Sequence, residues 1–194
     1  MMGNCRSKSS KLSEEELEEI RSKTGFTKRQ IFRLHLRFLS LDKKGRGFLE
    51  RSDFLQIPEL EINPLGDRII DAFFAETQPP QTRITFTDFA RVLAHFRPCS
   101  SHEDVTINSR SEKLRFAFAM YDLNKNGYIT RQEFKIILNM MIGSNITPEQ
   151  LESITDRTIT EGDYEKNGKI SFKEFCRAME SINVEQIMSI RFME

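Results

Sequence analysis

At 194 residues, with 38% hydrophobic and 30% charged side chains, the chain can bury a core as one compact domain or two small lobes, and its composition is not that of a disordered protein. Its 29 Lys and Arg balance 29 Asp and Glu, so it lacks the basic excess that nucleic-acid binding calls for. Cys5, Cys99 and Cys176 are far apart, His35, His95 and His102 do not cluster, there is no signal-peptide core and no apolar run approaches the roughly 18 residues of a membrane span; these features argue against a disulfide scaffold, a zinc site or an integral membrane protein, and for a reducing, cytosolic setting.

Residues 1–12 are polar and aperiodic. Read from Met2, Gly3 heads a sequence that fits the N-myristoylation pattern, with Ser7 at the small-hydroxyl position. A single acyl chain anchors marginally; Cys5 and the basic Arg6, Lys8 and Lys11 would supply a second signal for peripheral membrane contact. The other reading of this stretch is a plain polar tail. Ser13 and Glu16 form a capping box that opens a short acidic helix through about Ile20, with Gly25 as its stop, so residues 1–25 read as a tail and short helix.

The amino-terminal lobe is expected over 26–97. Thr27 and Gln30 cap a helix that carries Ile31, Leu34, Phe38 and Leu41 at helical spacing. It leads into Asp42–Asp53, which has the outline of a twelve-residue calcium loop, with Asp first, Gly47 sixth and Leu49 eighth. Lys44 and Arg46 stand at the third and fifth positions, where oxygens must point, and Asp53 at the twelfth is one methylene short. This hand is expected to be structural. Phe54, Ile57 and Leu60 continue the apolar face, punctuated by Pro58 and Pro64, and Ile69, Ile70, Phe73 and Phe74 enter the next hand. Its loop, Thr77–Asp88, keeps only Ile84 at the eighth position and Asp88 at the end, so it too is expected to be silent. Phe89, Val92, Leu93 and Phe96 follow as its exit helix.

Residues 98–110 break the pattern and read as a linker. The carboxy-terminal lobe is expected over 111–183. Ser109 or Ser111 caps a helix with Leu114, Phe118 and Tyr121, which delivers Asp122–Glu133. Here every position has its residue. Asp122, Asn124 and Asn126 offer side-chain oxygens, Gly127 makes the turn, Tyr128 offers its carbonyl, Thr130 can hold a bridging water, and Glu133 supplies two carboxylate oxygens. Ile129, at the eighth position, suits a short strand that pairs with a sister loop. Phe134, Ile137, Leu138 and Met141 line the exit helix, Gly143 ends it, and Thr147, Pro148 and Gln150 start the next. The fourth loop offers Asp163, Glu165, Asn167, the Lys169 carbonyl, Ser171 through water, and Glu174. Glu165 is long for the third position, and Lys166, Lys169 and Lys173 should lower calcium affinity. Residues 184–194 form a tail that is apolar at Val184, Ile187, Met188, Ile190 and Phe192 and must pack on the protein or on a partner.

Loop starts at 42, 77, 122 and 163 are separated by 35, 45 and 41 residues. The expected fold is therefore all-α, with four EF-hand helix–loop–helix units in two paired lobes and short β pairing between loops, holding two calcium ions in the third and fourth loops. Nothing forms a nucleophile elbow, a phosphate-cradling loop or a His cluster, so neither an enzyme nor a small-molecule substrate is expected. The 16 Phe and 8 Met are enough to fill a core and also to line a groove for a partner helix.

Beyond the loops, several segments resemble the calcineurin B branch of EF-hand proteins and, more narrowly, the calcineurin B homologous proteins. They are EELEEI with TGF near the start, QIPELEINPLGDRIIDAFF at 56–74, LAHFRP at 93–98, INSRSEKLRFAFAMYDL at 107–123 and VEQIMSIRF at 184–192. Two silent and two competent hands fit that narrower family, whereas calcineurin B itself carries four working hands. The resemblance implies a non-enzymatic cofactor that binds an amphipathic, juxtamembrane cytoplasmic helix of plasma-membrane sodium/proton exchangers and supports their stability, trafficking and pH response. It also implies inhibition of calcineurin, a link to protein transport and myristoylation of the glycine that here is Gly3. A calcineurin catalytic-chain partner stays open, as does a general calcium sensor. The implied location is cytoplasmic and peripheral at the plasma membrane or endomembranes. Stretches 134–146 and 175–190 resemble the family's nuclear-export segments, which would imply nuclear shuttling, but they read first as core helices.

Overall fold

The computed structural model describes residues 12–77, 82–97 and 106–184, together with Met188. Gly3, residues 98–105 of the linker and most of the apolar tail lie outside these. The described chain is mostly helical, with two short antiparallel strand pairs.

The caps fall where the sequence places them. In α1 (Glu14–Thr24), Ser13 Oγ accepts the Glu16 amide and the Glu16 carboxylate accepts the Ser13 amide. The helix runs a turn beyond Ile20, to Gly25, whose φ of +67° closes it in the left-handed conformation. A box between Thr27 and Gln30 opens α2 (Lys28–Leu41), which buries Ile31, Leu34, His35, Phe38 and Leu41 on one face. The first exit helix is divided. Pro58 cannot donate a backbone hydrogen bond and holds Ile57 extended, so α3 (Arg51–Phe54) stops and α4 (Pro58–Glu61) begins with Pro at its first position. Next come α5 (Gly66–Ala75) and α6 (Phe86–Ala94), then a 3-10 turn at Thr106–Asn108. The carboxy-terminal half is α7 (Arg110–Tyr121), capped by Ser109, followed by α8 (Arg131–Ile142), α9 (Pro148–Gly162) and α10 (Phe172–Ala178).

Each lobe is tied by a strand pair between its two loops. In the first, β1 (Phe48–Leu49) meets β2 (Ile84–Thr85), with Leu49 opposite Ile84. In the second, β3 (Tyr128–Thr130) meets β4 (Lys169–Ser171), with Ile129 opposite Ile170. These apolar eighth-position residues are buried, so each pair serves as a small piece of core as well as a ladder.

The two lobes share α7. Phe116 joins the amino-terminal core and stacks edge-on against Phe96 at 5.1 Å, while Leu114 and Phe118 join the carboxy-terminal core. Lys113, fully buried, donates from Nζ to the carbonyls of His95 at 2.5 Å and Arg97 at 2.8 Å, beyond the end of α6. Arg97 in turn donates to the Thr24 carbonyl at 2.8 Å, at the end of α1. A cation is favourable at a helix carboxyl end, where the last carbonyls lack partners. Gly25 leaves room for this contact, since a Cβ there would lie 1.9 Å from the Arg97 guanidinium. The lobes are thus joined by a relay of backbone carbonyls and two basic side chains. Lys113→Met, of similar length, should lower unfolding free energy by about 2–3 kcal/mol in a urea titration, because it strands two buried carbonyls; an unchanged midpoint would show that the relay carries no stability.

Candidate metal centre

The third loop closes on itself through its two carboxylates. Asp122 Oδ1 accepts the Asn126 amide at 3.1 Å and Oδ2 accepts the Gly127 amide at 2.8 Å. Asn124 Oδ1 accepts the Asn126 amide and Asn126 Oδ1 accepts the Tyr128 amide, each at 3.0 Å. Glu133 spans the loop: Oε1 accepts the Leu123 and Asn124 amides at 3.1 Å, and Oε2 accepts the Thr130 amide at 2.9 Å and its hydroxyl at 2.7 Å. Thr130, expected to position a water, also caps α8 in a box with Glu133. Burial pushes the Glu133 carboxyl up, but hydrogen bonds from Thr130, Asn124 and Leu123 outweigh it and hold the group below the usual carboxylate range.

The fourth loop repeats the pattern. Asp163 accepts the Asn167 and Gly168 amides at 3.0 and 2.6 Å, and Asn167 Oδ1 accepts the Lys169 amide at 3.2 Å. Glu174 accepts the Glu165 amide at 2.9 Å and the Ser171 amide and hydroxyl at 2.8 Å. The long Glu165 side chain is turned along the loop, where it accepts from Asn167 Nδ2 at 3.3 Å. The Lys169 ammonium sits 3.5 Å from the centre of the Tyr128 ring across the strand pair, so its carbonyl is the group available to a cation at this position. Both loops have left-handed residues at their fourth and sixth positions, Lys125 and Gly127 in one, Lys166 and Gly168 in the other. This turn aims successive oxygens at a common centre. Among the described residues, no three His, Cys, Asp or Glu side chains converge. The donors are mixed carboxylate, amide and backbone oxygens, a set suited to a hard cation such as calcium rather than to zinc. Asp122, Asn124, Asn126, the Tyr128 carbonyl and Glu133 would hold one ion; Asp163, Glu165, Asn167, the Lys169 carbonyl and Glu174 would hold another.

The first loop has the same backbone, with Gly45 and Gly47 left-handed at the same two positions and the Gly47 amide donating to Asp42 Oδ2 at 2.6 Å. Its centre is different. The Arg46 guanidinium folds inward, bonding Glu50 at 2.7 Å and Asp53, while its Nε faces Asp42 Oδ1 at 3.7 Å. Asp42 and Asp53, both buried, thus have a resident cation of the protein's own. Sequence reasoning marked Arg46 as a charge in the wrong place and missed what it does there; the signal was its spacing of four and seven residues from Glu50 and Asp53. In the second loop, Asp88 is taken up by the Thr85 cap, whose hydroxyl donates to it at 2.6 Å.

Between the lobes runs an apolar groove of about 1040 Å³. Leu34, Phe54, Ile70, Phe73 and Phe89 line its amino-terminal half, and Leu114, Tyr121, Phe175 and Met179 its carboxy-terminal half. Gln30, Arg33, Arg37 and Glu59 add polar groups, and Val184 and Met188 of the tail also line it.

Glu133→Gln and Glu174→Gln should each weaken calcium binding at one loop by about 10- to 100-fold in a calorimetric titration, since each removes a charged ligand. Full stoichiometry and affinity in both variants would refute these ligand sets. Lys44→Asp with Arg46→Asn, by contrast, should add an ion to the stoichiometry, because it replaces the resident guanidinium with oxygens on an unchanged turn; an unchanged ion count would show that the turn is not the deciding feature.

Residues 111–180 match a family model described as an EF-hand domain pair. The calcineurin B subunit of Naegleria gruberi is 38% identical over 182 residues, covering 94% of this chain and 97% of that protein. The type 1 calcineurin B subunit of Dictyostelium discoideum is 37% identical over 194 residues, all of both chains, and type 2 of the same organism is 38% identical over 185 residues, 94% of this chain and 95% of that one. With two such loops and relatives that span its length, the chain belongs to the calcineurin B family of EF-hand calcium-binding regulatory proteins.

Proposed function

We propose that this chain is a non-catalytic regulatory protein that clasps an amphipathic helix of its partner in the groove between the lobes. The groove carries the proposal. Its 1040 Å³ corresponds to about two to three turns of a helix some 10 Å across, enough to take anchors at i, i+3, i+4 and i+7. Lys113 and Arg97 hold the halves in register, so the two walls form one surface.

In this reading the halves differ in what shapes them. The amino-terminal wall rests on Arg46 and on packing, whatever the calcium level. The carboxy-terminal wall hangs on α7, which enters the third loop, and α10, which leaves the fourth, and calcium there would neutralise the loop carboxylates and fix the angle of those helices. Two ions, one in each of these loops, are part of the proposal.

The partner suggested by the resemblance to calcineurin B homologous proteins is the juxtamembrane helix of a sodium/proton exchanger, with a peripheral cytoplasmic location and acylation at Gly3. The second reading is a helix of a calcineurin catalytic chain, and the full-length similarity to calcineurin B proteins favours it. Calorimetry with two synthetic helices, one from each class, separates them. Tight binding of the exchanger helix and weak binding of the other supports the first reading, the reverse order supports the second, and no binding of either with calcium present would overturn the groove proposal. Chelation should weaken the preferred helix without abolishing its binding, since half of the groove does not depend on metal.

A further inference from the structure

The helix α2 has two apolar faces. One is the buried face of Ile31, Leu34, Phe38 and Leu41; the other is a stripe of Phe32, Leu36 and Leu39, which are 51%, 68% and 41% exposed. Their i, i+4, i+7 spacing places them on one line along the helix. None of the three lines the groove. Lys28 and Arg29 flank the stripe, Arg33 and Arg37 follow further round towards the groove, and the helix has no Asp or Glu. Arg29 and Arg37 are exposed and make no ion pair within 4 Å among the described residues, in a chain whose net charge is zero. The neighbouring acidic helix α1 offsets little of this charge: Glu14 pairs with Lys28, Glu18 with Arg21 and Glu19 with Lys23, Glu16 closes its own cap, and of its acids only Glu15 is in neither an ion pair nor the cap among the described residues.

From this juxtaposition we infer that the exposed face of α2 is a docking surface for an anionic lipid bilayer, with Phe32, Leu36 and Leu39 inserted at the headgroup boundary and Arg29 and Arg37 on the lipid phosphates. The surface is a convex helix face with large splayed side chains, which a soft interface accepts more readily than a rigid protein does. The unpaired arginines supply charge complementarity to an anionic leaflet. They also disfavour a second copy of the chain, since a two-fold contact through this stripe would bring the same arginines face to face. The groove opens on the Arg33–Arg37 side of the same helix, so docking here would set the groove beside the membrane.

The test is co-sedimentation of the full, unacylated chain with vesicles of phosphatidylcholine alone and with about 30% phosphatidylserine added. Binding is expected only to the anionic vesicles, equally with calcium or chelator, and it should fall as salt rises. Phe32→Ser/Leu36→Ser/Leu39→Ser should lower partitioning by about tenfold or more with an unchanged thermal melt, because three exposed apolar groups are lost. Arg29→Gln/Arg37→Gln should lower it and flatten the salt dependence. A control triple change of the exposed Ile136, Met140 and Met141 on α8 to Ser should leave it intact. The proposal is overturned by absence of binding to anionic vesicles, by equal binding of the α2 variants, or by loss only in the α8 control. It is also overturned if sedimentation velocity shows a dimer that the α2 triple change dissolves.

Discussion

Three of the four hands, all but the second, must bring a carboxylate from the start of a loop and another from its end to a common centre, and opposed negative charges cannot be left there bare. The ways the chain meets that demand account for much of its architecture. In the third and fourth loops, the carboxylates of Glu133 and Glu174 are held by backbone amides from the opposite side of the loop, leaving an oxygen-lined turn that suits calcium. In the first, the fifth residue is Arg46, and a guanidinium stands where a metal would. The second loop avoids the problem by starting with Thr77, so that Asp88, held by the Thr85 cap, has no carboxylate opposite it at the loop start.

This division gives the two lobes different dependencies while one helix belongs to both. Along α7, Phe116 faces one core and Leu114 and Phe118 the other, so neither lobe can tilt far without moving an aromatic side chain out of its neighbour. Lys113 adds a polar lock at the same place, with both donor bonds made to carbonyls that the end of α6 would otherwise leave unpaired. A groove that crosses two lobes can hold one helix only if its halves stay in register, and α7 is what keeps them so.

Most of the frame was legible in the residue pattern. Loop spacing and the boxes Ser13–Glu16, Thr27–Gln30 and Thr147–Gln150 are local signals, and local signals survive folding. Ile129 and Ile170 advertised their pairing by position alone. What escaped depends on distance. The contacts of Lys113 with residues 16 and 18 positions earlier leave no mark on the periodicity of α7, where a lysine reads as a solvent residue. The inward fold of Arg46 could be seen only once Asp53 and Glu50 were placed around it. The second stripe on α2 was hidden by the first, since a helix search that finds Ile31, Leu34, Phe38 and Leu41 is satisfied before it asks what Phe32, Leu36 and Leu39 are for.

The ladder between β3 and β4 bears on how the carboxy-terminal lobe would respond to its ion. Tyr128, Ile129 and Thr130 are partnered residue for residue with Ser171, Ile170 and Lys169, and each strand is the continuation of a loop. If calcium fills the third loop, it fixes β3, and β4 then meets an edge already in place, so the entropy of ordering the fourth loop is partly removed before its own ion arrives. The lysine-flanked fourth loop, with its long Glu165, would gain most from that help. Saturation would then be steeper than for two independent sites, with a Hill coefficient above one that arises from three paired residues rather than from any contact between the ions.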